Sequence, residues 1–174
     1  CVAELQQDDV EGVGIGCPGS IEHSSGRVVS STNLPIGGTN FPELIKKKFS
    51  LPAEIDNDAN CFALGEFLYG SGKGAKNLVG ITMGTGIGAG IVINGQIYHG
   101  RDSAGEFGHT VIQVNGEKCT CGKRGHLEAY IGTKGIQKLL GKGISPEEIY
   151  KLAAKRNKKA LKTWESVGTY LGVG

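Results

Sequence analysis

The sequence predicts an α/β protein built in two parts, and three observations predict it. Strand-like and helix-like runs alternate as far as Tyr69, a glycine-rich β region begins at Leu78, and helical spacing takes over from Leu127 to the end. With 174 residues, 39% of them hydrophobic, the chain can bury a core, either as one domain or as two lobes cut short. Nineteen Lys and Arg against 17 Asp and Glu leave a formal charge of +2, which argues against a nucleic-acid footprint or a polybasic membrane anchor. Thirty glycines are more than twice the usual share, about 7%, yet they alternate with Val and Ile in strand-like runs, so backbone shape matters more than side-chain bulk. No apolar run approaches the roughly 18 residues of a membrane-spanning helix, and CVAELQQDDV lacks the basic and apolar regions of a secretory signal, so a soluble protein is expected. The first residue is Cys1 and WESVGTYLGVG breaks off inside a helix-like pattern, so the chain reads as an internal piece of a longer protein. Its five cysteines, Cys1, Cys17, Cys61, Cys119 and Cys121, are odd in number and irregular in spacing, and reduced thiols are expected.

Taken in order, Gly12 to Cys17 is a small-residue strand ended by the turn pair Pro18-Gly19. Arg27 to Ser30 follows as a second strand after the Ser24, Ser25, Gly26 turn. Asn40-Phe41-Pro42-Glu43 opens a helix, with Pro42 in its first turn, and Leu44, Ile45 and Phe49 form its apolar face up to Ser50. Ala53 to Ile55 is extended and runs into Asp56-Asn57-Asp58, after which Ala59 to Tyr69 has helical spacing. The acidic triplet therefore sits where a strand hands over to a helix. The flexible run Gly70-Ser71-Gly72-Lys73-Gly74 divides the chain into parts 1–74 and 75–174. Leu78 to Met83, Ala89 to Ile93 and Gln96 to Tyr98 form a β meander with a tight hairpin at Asn94-Gly95. In the helical part, Ser145 and Glu148 bracket a capping box, and the Lys155 to Lys159 run is a solvated helix end.

Three motifs carry chemistry. Gly84-Thr85-Gly86-Ile87-Gly88-Ala89-Gly90 follows a strand, and such a loop lets backbone donors close around phosphate oxygens. Gly84, Gly86 and Ala89 also satisfy the dinucleotide fingerprint, but that motif must open a helix, and IVINGQIY is an alternating strand. Nor is Gly72-Lys73 a Walker phosphate loop, since Phe67 stands at its first glycine and Gly74 at its hydroxyl position. A plain glycine-rich turn in a sheet is the rival reading. Asp56-Asn57-Asp58 is on one reading a turn and helix N-cap. On the other, a carboxylate at a strand end accepts a hydroxyl proton while a neighbouring amide fixes the substrate, as phosphoryl transfer to an alcohol requires. Spacing alone does not choose between Asp58 and Asp56. The third motif sets Cys119 and Cys121 between His109 and His126, two sulfur and two nitrogen donors of the kind tetrahedral zinc prefers. A Cys119 to Cys121 disulfide would be strained, and two satisfied histidines with two free thiols are the alternative. Four protein ligands make such a metal structural, and by pinning the loop it could aim Glu128, two residues past His126.

In order and spacing the chain resembles the bacterial ROK family of sugar kinases and related repressors, most closely its glucokinase-like members. The residues that carry the resemblance are GIGCPG at Gly14 to Gly19, Asn33-Leu34-Pro35, DNDAN at Asp56 to Asn60, Ala63-Leu64-Gly65-Glu66, GTGIGAG at Gly84 to Gly90, AGEFGH at Ala104 to His109 and CTCGKRGHLEAY at Cys119 to Tyr130. The resemblance implies an actin-like ATPase, ribonuclease H-like fold of two lobes, of which this is a fragment, with ATP and sugar meeting in the cleft. Residues 1–74 would be the remainder of the small lobe, ending in the sugar motif and hinge, and 75–174 part of the large lobe. It implies Asp58 as the base, Asn57, Glu106, His109 and Glu128 on the sugar hydroxyls, and Gly84, Thr85, Gly86 and Gly88 on the ATP phosphates. His109, Cys119 and Cys121 would hold a structural zinc, His109 turning its other nitrogen to the sugar.

Three departures stand out. His126 occupies the place of a third family cysteine, and imidazole is expected to replace thiolate as fourth ligand, since nitrogen lies only a few tenths of an ångström nearer zinc than sulfur does. Asp56 stands where the family has Glu. The family's Asp-Gly-Gly-Thr phosphate loop and its adenosine-binding segment are not in this sequence. The expectation is a cytoplasmic kinase transferring the terminal phosphoryl of Mg-ATP to the 6-hydroxyl of glucose, a homodimer by resemblance, without membrane or nucleic-acid partners. The alternative is a sugar-responsive repressor whose DNA-binding part lies outside this sequence.

Overall fold

The computed structural model describes residues 2–5, 9–31, 34–141 and 143–174, so Cys1 and Asn33 of the motifs above lie outside the described residues. By internal packing the chain forms two compact units, Cys1–Gly80 with Gly90–Gly105, and Ile81–Ala89 with Glu106–Gly174. This differs from a single cut after Gly74, because the segment from Gly90 returns to pack on the first unit. A Cβ at Gly90 would lie 2.5 Å from Ala63 Cβ and 2.6 Å from the Ala59 carbonyl oxygen, so only glycine lets the strand approach the helix this closely.

The first unit contains α1 (Val2–Leu5), β1 (Val13–Cys17), β2 (Ser20–Glu22), β3 (Arg27–Ser30), α2 (Phe41–Phe49), β4 (Ala53–Asn57) and α3 (Asp58–Leu68). Parallel β1 and β4 pair from Val13 opposite Ala53 to Cys17 opposite Asn57, a geometry that needs a crossover, and α2 lies within it. β2 and β3 form an antiparallel hairpin with a register shift at Ser20/Ile21. Cys17, Ile21, Val28 and Ile55 are buried together, with Ile15, Ile36 and Phe41 packed around them. α2 starts as its sequence requires, Asn40 accepting from the Glu43 amide, and Ser50 closes it in the left-handed conformation. Its expected apolar face is not a core face here: none of its residues is buried, and Leu44 is 52% exposed.

β5 (Leu78–Met83), β6 (Ile87–Ile93) and β7 (Gln96–Ile97) form one three-stranded sheet. Asn94 (φ 51°) and Gly95 (φ 84°) make the two-residue turn between β6 and β7 that twisted hairpins favour. Among its described residues the second unit has a short 3₁₀ turn (Phe107–His109) and four helices, α4 (Glu128–Ile131), α5 (Thr133–Leu140), α6 (Pro146–Ala154) and α7 (Lys158–Val173). Leu127, Ile131 and Ile149 are its most completely buried large side chains, in a core with Ile87, Tyr130, Ile136, Leu140 and Val167. The capping box is formed: Ser145 accepts from the Glu148 amide and Glu148 accepts from the Ser145 amide. No helix among the described residues is long and apolar enough to cross a membrane.

Candidate functional site

The candidate residues fall into three constellations. The first is the handover from β4 to α3. Asn57 ends the strand and caps the helix, its side-chain oxygen accepting from the amides of Ala59 (2.9 Å) and Asn60 (3.4 Å) while its Nδ2 donates to the Gly19 carbonyl (3.0 Å). The capping role is thus realised, and it fixes the residue that follows. The structure also separates the two carboxylates that spacing leaves equivalent. Oδ1 of Asp56 accepts from the Asn57 amide (2.7 Å) and Asn60 Nδ2 (2.8 Å), and its Oδ2 lies 2.7 Å from His99 Nε2. Asp58 is exposed at the first position of α3; its Oδ1 accepts from the Ala59 amide at 3.0 Å, and its Oδ2 has no hydrogen-bond partner among the described residues. Asp58 therefore has an oxygen free to accept a proton from outside the chain, whereas Asp56 is committed inside it. Burial pushes the Cys17 and Cys61 thiols up; the Asp58 charge adds to this at Cys17, and those of Asp56 and Asp58 at Cys61.

The second constellation is the glycine turn between β5 and β6. Gly84 to Gly86 make the turn, and Ile87 and Gly88 already belong to β6, two residues earlier than the alternation of the sequence suggests. A strand, not a helix, follows, so the dinucleotide reading is excluded by structure as well as by context. Gly84 donates to the Gly86 carbonyl (3.0 Å), and its own carbonyl accepts from the amide (3.0 Å) and hydroxyl (2.8 Å) of Thr133 at the start of α5. The amides of Thr85 and Gly86 donate to no partner found among the described residues, which leaves them available to an anion.

The third is the Cys–His cluster. One ligand atom from each of His109, Cys119, Cys121 and His126 lies within 4.8 Å of all the others. His109 Nδ1 is 3.2 Å from His126 Nδ1, Cys121 Sγ is 3.3 Å from His126 Nδ1, and Cys119 Sγ is 4.0 Å from His109 Nδ1. Zinc bonds of about 2.0–2.1 Å to nitrogen and about 2.3 Å to sulfur give tetrahedral edges of roughly 3.3–3.8 Å, so the donor set fits that ion with small adjustments. Cys119 and His126 are buried, at 3% and 4% exposure, while Cys121 is exposed. Burial raises the Cys119 thiol and lowers His126, the latter aided by His109 and Lys123. The loop is tightly closed: the Cys119 amide donates to the Lys123 carbonyl (2.8 Å) and the Gly122 amide to that of Cys119 (3.0 Å).

Glu128 ties this loop to the glycine turn. Its Oε1 accepts from the Thr120 hydroxyl (2.8 Å) and faces Cys119 Sγ (3.5 Å), and its Oε2 accepts from the Ile87 amide (3.2 Å). His109 turns Nδ1 toward the cluster and Nε2 toward Glu106 Oε2, 3.7 Å away. The structure thus brings Glu128, the turn and the Cys–His cluster together within the second unit, with Glu106 beside His109. Asn57 and Asp58 stand together in the first. Sequence reasoning missed His99 and His23, whose rings stack beside Asp56 with centroids 3.8 Å apart. No local spacing relates them to Asp56.

Comparison with known proteins places these features in a context. A family model described as the ROK family matches residues 2–174. The glucokinase of Halalkalibacterium halodurans is 42% identical over 165 residues, covering 92% of this chain and 49% of that protein. The xylose repressor of Bacillus spizizenii is 36% identical over 167 residues, covering 94% of this chain and 43% of that protein. The crystal structure of a ROK family glucokinase from Streptomyces griseus, in complex with glucose and AMPPNP, superposes with a TM-score of 0.82 at 28% identity, covering 98% of this chain and 62% of that one. The chain spans about half the length of the curated relatives it matches.

Proposed function

The chain belongs to the ROK family and carries part of its α/β, actin-like ATPase fold, and from that premise we propose that the protein phosphorylates a hexose with Mg-ATP, glucose to glucose 6-phosphate, with Asp58 as general base. The observation that carries the reading is Asp58 itself: an exposed carboxylate on the first turn of α3, fixed through Asn57 and keeping one oxygen unpartnered among the described residues. In the proposed step the hydroxyl O–H bond breaks toward Asp58 as the sugar oxygen bonds to phosphorus and the bond to the ADP oxygen opens. Positioning and neutralisation of charge do most of the work. The unpartnered amides of Thr85 and Gly86, with Gly84 and Gly88 shaping the turn, are suited to phosphate oxygens. Asn57, Glu106, His109 and Glu128 are assigned to the sugar hydroxyls. Oε1 of Glu128 already accepts from the Thr120 hydroxyl and the Cys119 thiol, whereas Oε2 accepts only from the Ile87 amide and keeps a second lone pair for a hydroxyl. Zinc on His109, Cys119, Cys121 and His126 would cross-link the 3₁₀ turn to the cysteine loop and so hold His109 in place. A cytoplasmic location and a homodimer belong to the same proposal.

The test is a panel of hexoses with ATP and the intact protein. Glucose is expected to be phosphorylated, and Asp58→Ala is expected to lower turnover by orders of magnitude with its circular dichroism unchanged; near-normal turnover in that variant removes Asp58 from the role. A second reading, a sugar-responsive repressor, is favoured by the xylose repressor that matches 94% of the chain. On that reading the intact protein binds sugar and phosphorylates none of the panel. Sequence upstream of Cys1 discriminates too: Asp-Gly-Gly-Thr near an initiator Met favours the kinase, and a basic helix-turn-helix extension favours the repressor.

A further inference from the structure

His23, Asp56 and His99 come from three separate places in the chain, the turn between β2 and β3, the end of β4 and the segment after β7, yet their ligand atoms lie within 4.8 Å of one another. All three belong to the first unit, and none is a donor of the Cys–His cluster. From this juxtaposition we propose a second metal site, in which two imidazoles and one carboxylate bind a borderline divalent ion such as Zn2+ and leave coordination positions open to water or an oxygen-bearing ligand.

The donors are prepared for this in three ways. The Asp56 carboxylate is oriented by its other oxygen, which accepts from the Asn57 amide and from Asn60 Nδ2, so that Oδ2 is turned to His99. Such outer hydrogen bonds are what hold metal-ligating carboxylates in place. The backbone of His23 is likewise pinned, its amide donating to Asp102 Oδ1 at 3.1 Å, while neither ring nitrogen of His23 has a partner among the described residues. Its ring instead lies over that of His99, 20° from parallel. This stack of two imidazoles beside one carboxylate leaves His23 with a ring-nitrogen lone pair that no group among the described residues uses. A cation on the three atoms satisfies all of them at once. Metal bonds of about 2.0–2.2 Å require cis donors roughly 3 Å apart, so the exposed turn carrying His23 has only a short way to close.

The chemistry of the set selects the ion. Two imidazoles and one carboxylate suit Zn2+, Co2+ or Ni2+, whereas Mg2+ and Ca2+ take oxygen ligands almost exclusively. Three protein ligands leave the site open, unlike the four-ligand cluster of the second unit. The ion would sit against the residue two positions before Asp58, on the strand end that sets where Asp58 begins its helix.

The experiment counts bound Zn2+ in the intact protein by equilibrium dialysis, in the presence of millimolar Mg2+, for wild type, His23→Ala and His99→Gln. Wild type is expected to hold one ion more than either histidine variant, with Mg2+ failing to compete. Co2+ provides the second measurement: the tighter equivalent develops thiolate-to-metal charge-transfer absorption, and the weaker one adds cobalt without adding to that band. His23 is an exposed turn residue, so His23→Ala is expected to keep the wild-type circular dichroism. Equal ion counts in wild type and both histidine variants overturn the proposal, as does a second cobalt equivalent that carries thiolate absorption. Neither readout depends on phosphoryl transfer, so the site and the kinase reading stand or fall separately.

Discussion

Cys61 lies in the first turn of α3, exposed but close to the carboxylates of Asp56 and Asp58, and partial burial followed by those two charges holds its thiol above the usual range. The thiolate is the nucleophile, so accessibility alone does not make this cysteine reactive. Iodoacetamide is expected to label it slowly near pH 7.5, with a rate still rising above pH 9, and Asp58→Asn is expected to speed labelling by removing one of the charges. A rate that levels off below pH 8, or one unchanged in Asp58→Asn, contradicts this. At this scale the sequence was legible where chemistry is local. The turn and capping chemistry of Asp56-Asn57-Asp58 is set by immediate neighbours, and the proposed donors His109, Cys119, Cys121 and His126 lie within 17 positions of one another. The difference between Asp56 and Asp58 was not, because it is decided by His99, 43 positions away.

Elements were read from periodicity, and their discrepancies have physical causes. β4 runs to Asn57 rather than Ile55 because its pairing with β1 continues to Cys17, a long-range contact that outweighs the turn propensity of Asp and Asn. β2 escaped notice because a three-residue strand with a register shift has no alternation to read. Two substitutions test the elements that matter. Gly90→Ala pushes a methyl against the α3 backbone at the Ala59 carbonyl, and a cost of about 1–3 kcal/mol is expected in chemical denaturation; a neutral result means that β6 does not approach α3 as described. Ser145→Ala removes half of the capping box of α6 and is expected to cost about 1 kcal/mol, read as a lower Tm.

For the molecule as a whole, the α/β class and the order of its motifs were legible, while the compact units were not. A glycine-rich run such as 70–74 marks where a chain can bend, but packing decides what it joins, and Gly90 to Gly105 rejoin the first unit. Zinc removal is the test at this scale. An ion that binds only the folded state stabilises it by about 2.7 kcal/mol at a hundred times its Kd, so chelation is expected to lower Tm, with Cys119→Ser/Cys121→Ser, likewise chelated, melting where the chelated wild type does. Absence of zinc by elemental analysis, together with unchanged melting after chelation, refutes the four-ligand cluster. The carboxylate of Glu128 gives that cluster a reach beyond stability. With one oxygen accepting from the Thr120 hydroxyl and facing Cys119 Sγ, and the other on the Ile87 amide, this one side chain links the cysteine loop to the first residue of β6, so a displacement of Cys119 has a direct route to the strand that leaves the glycine turn.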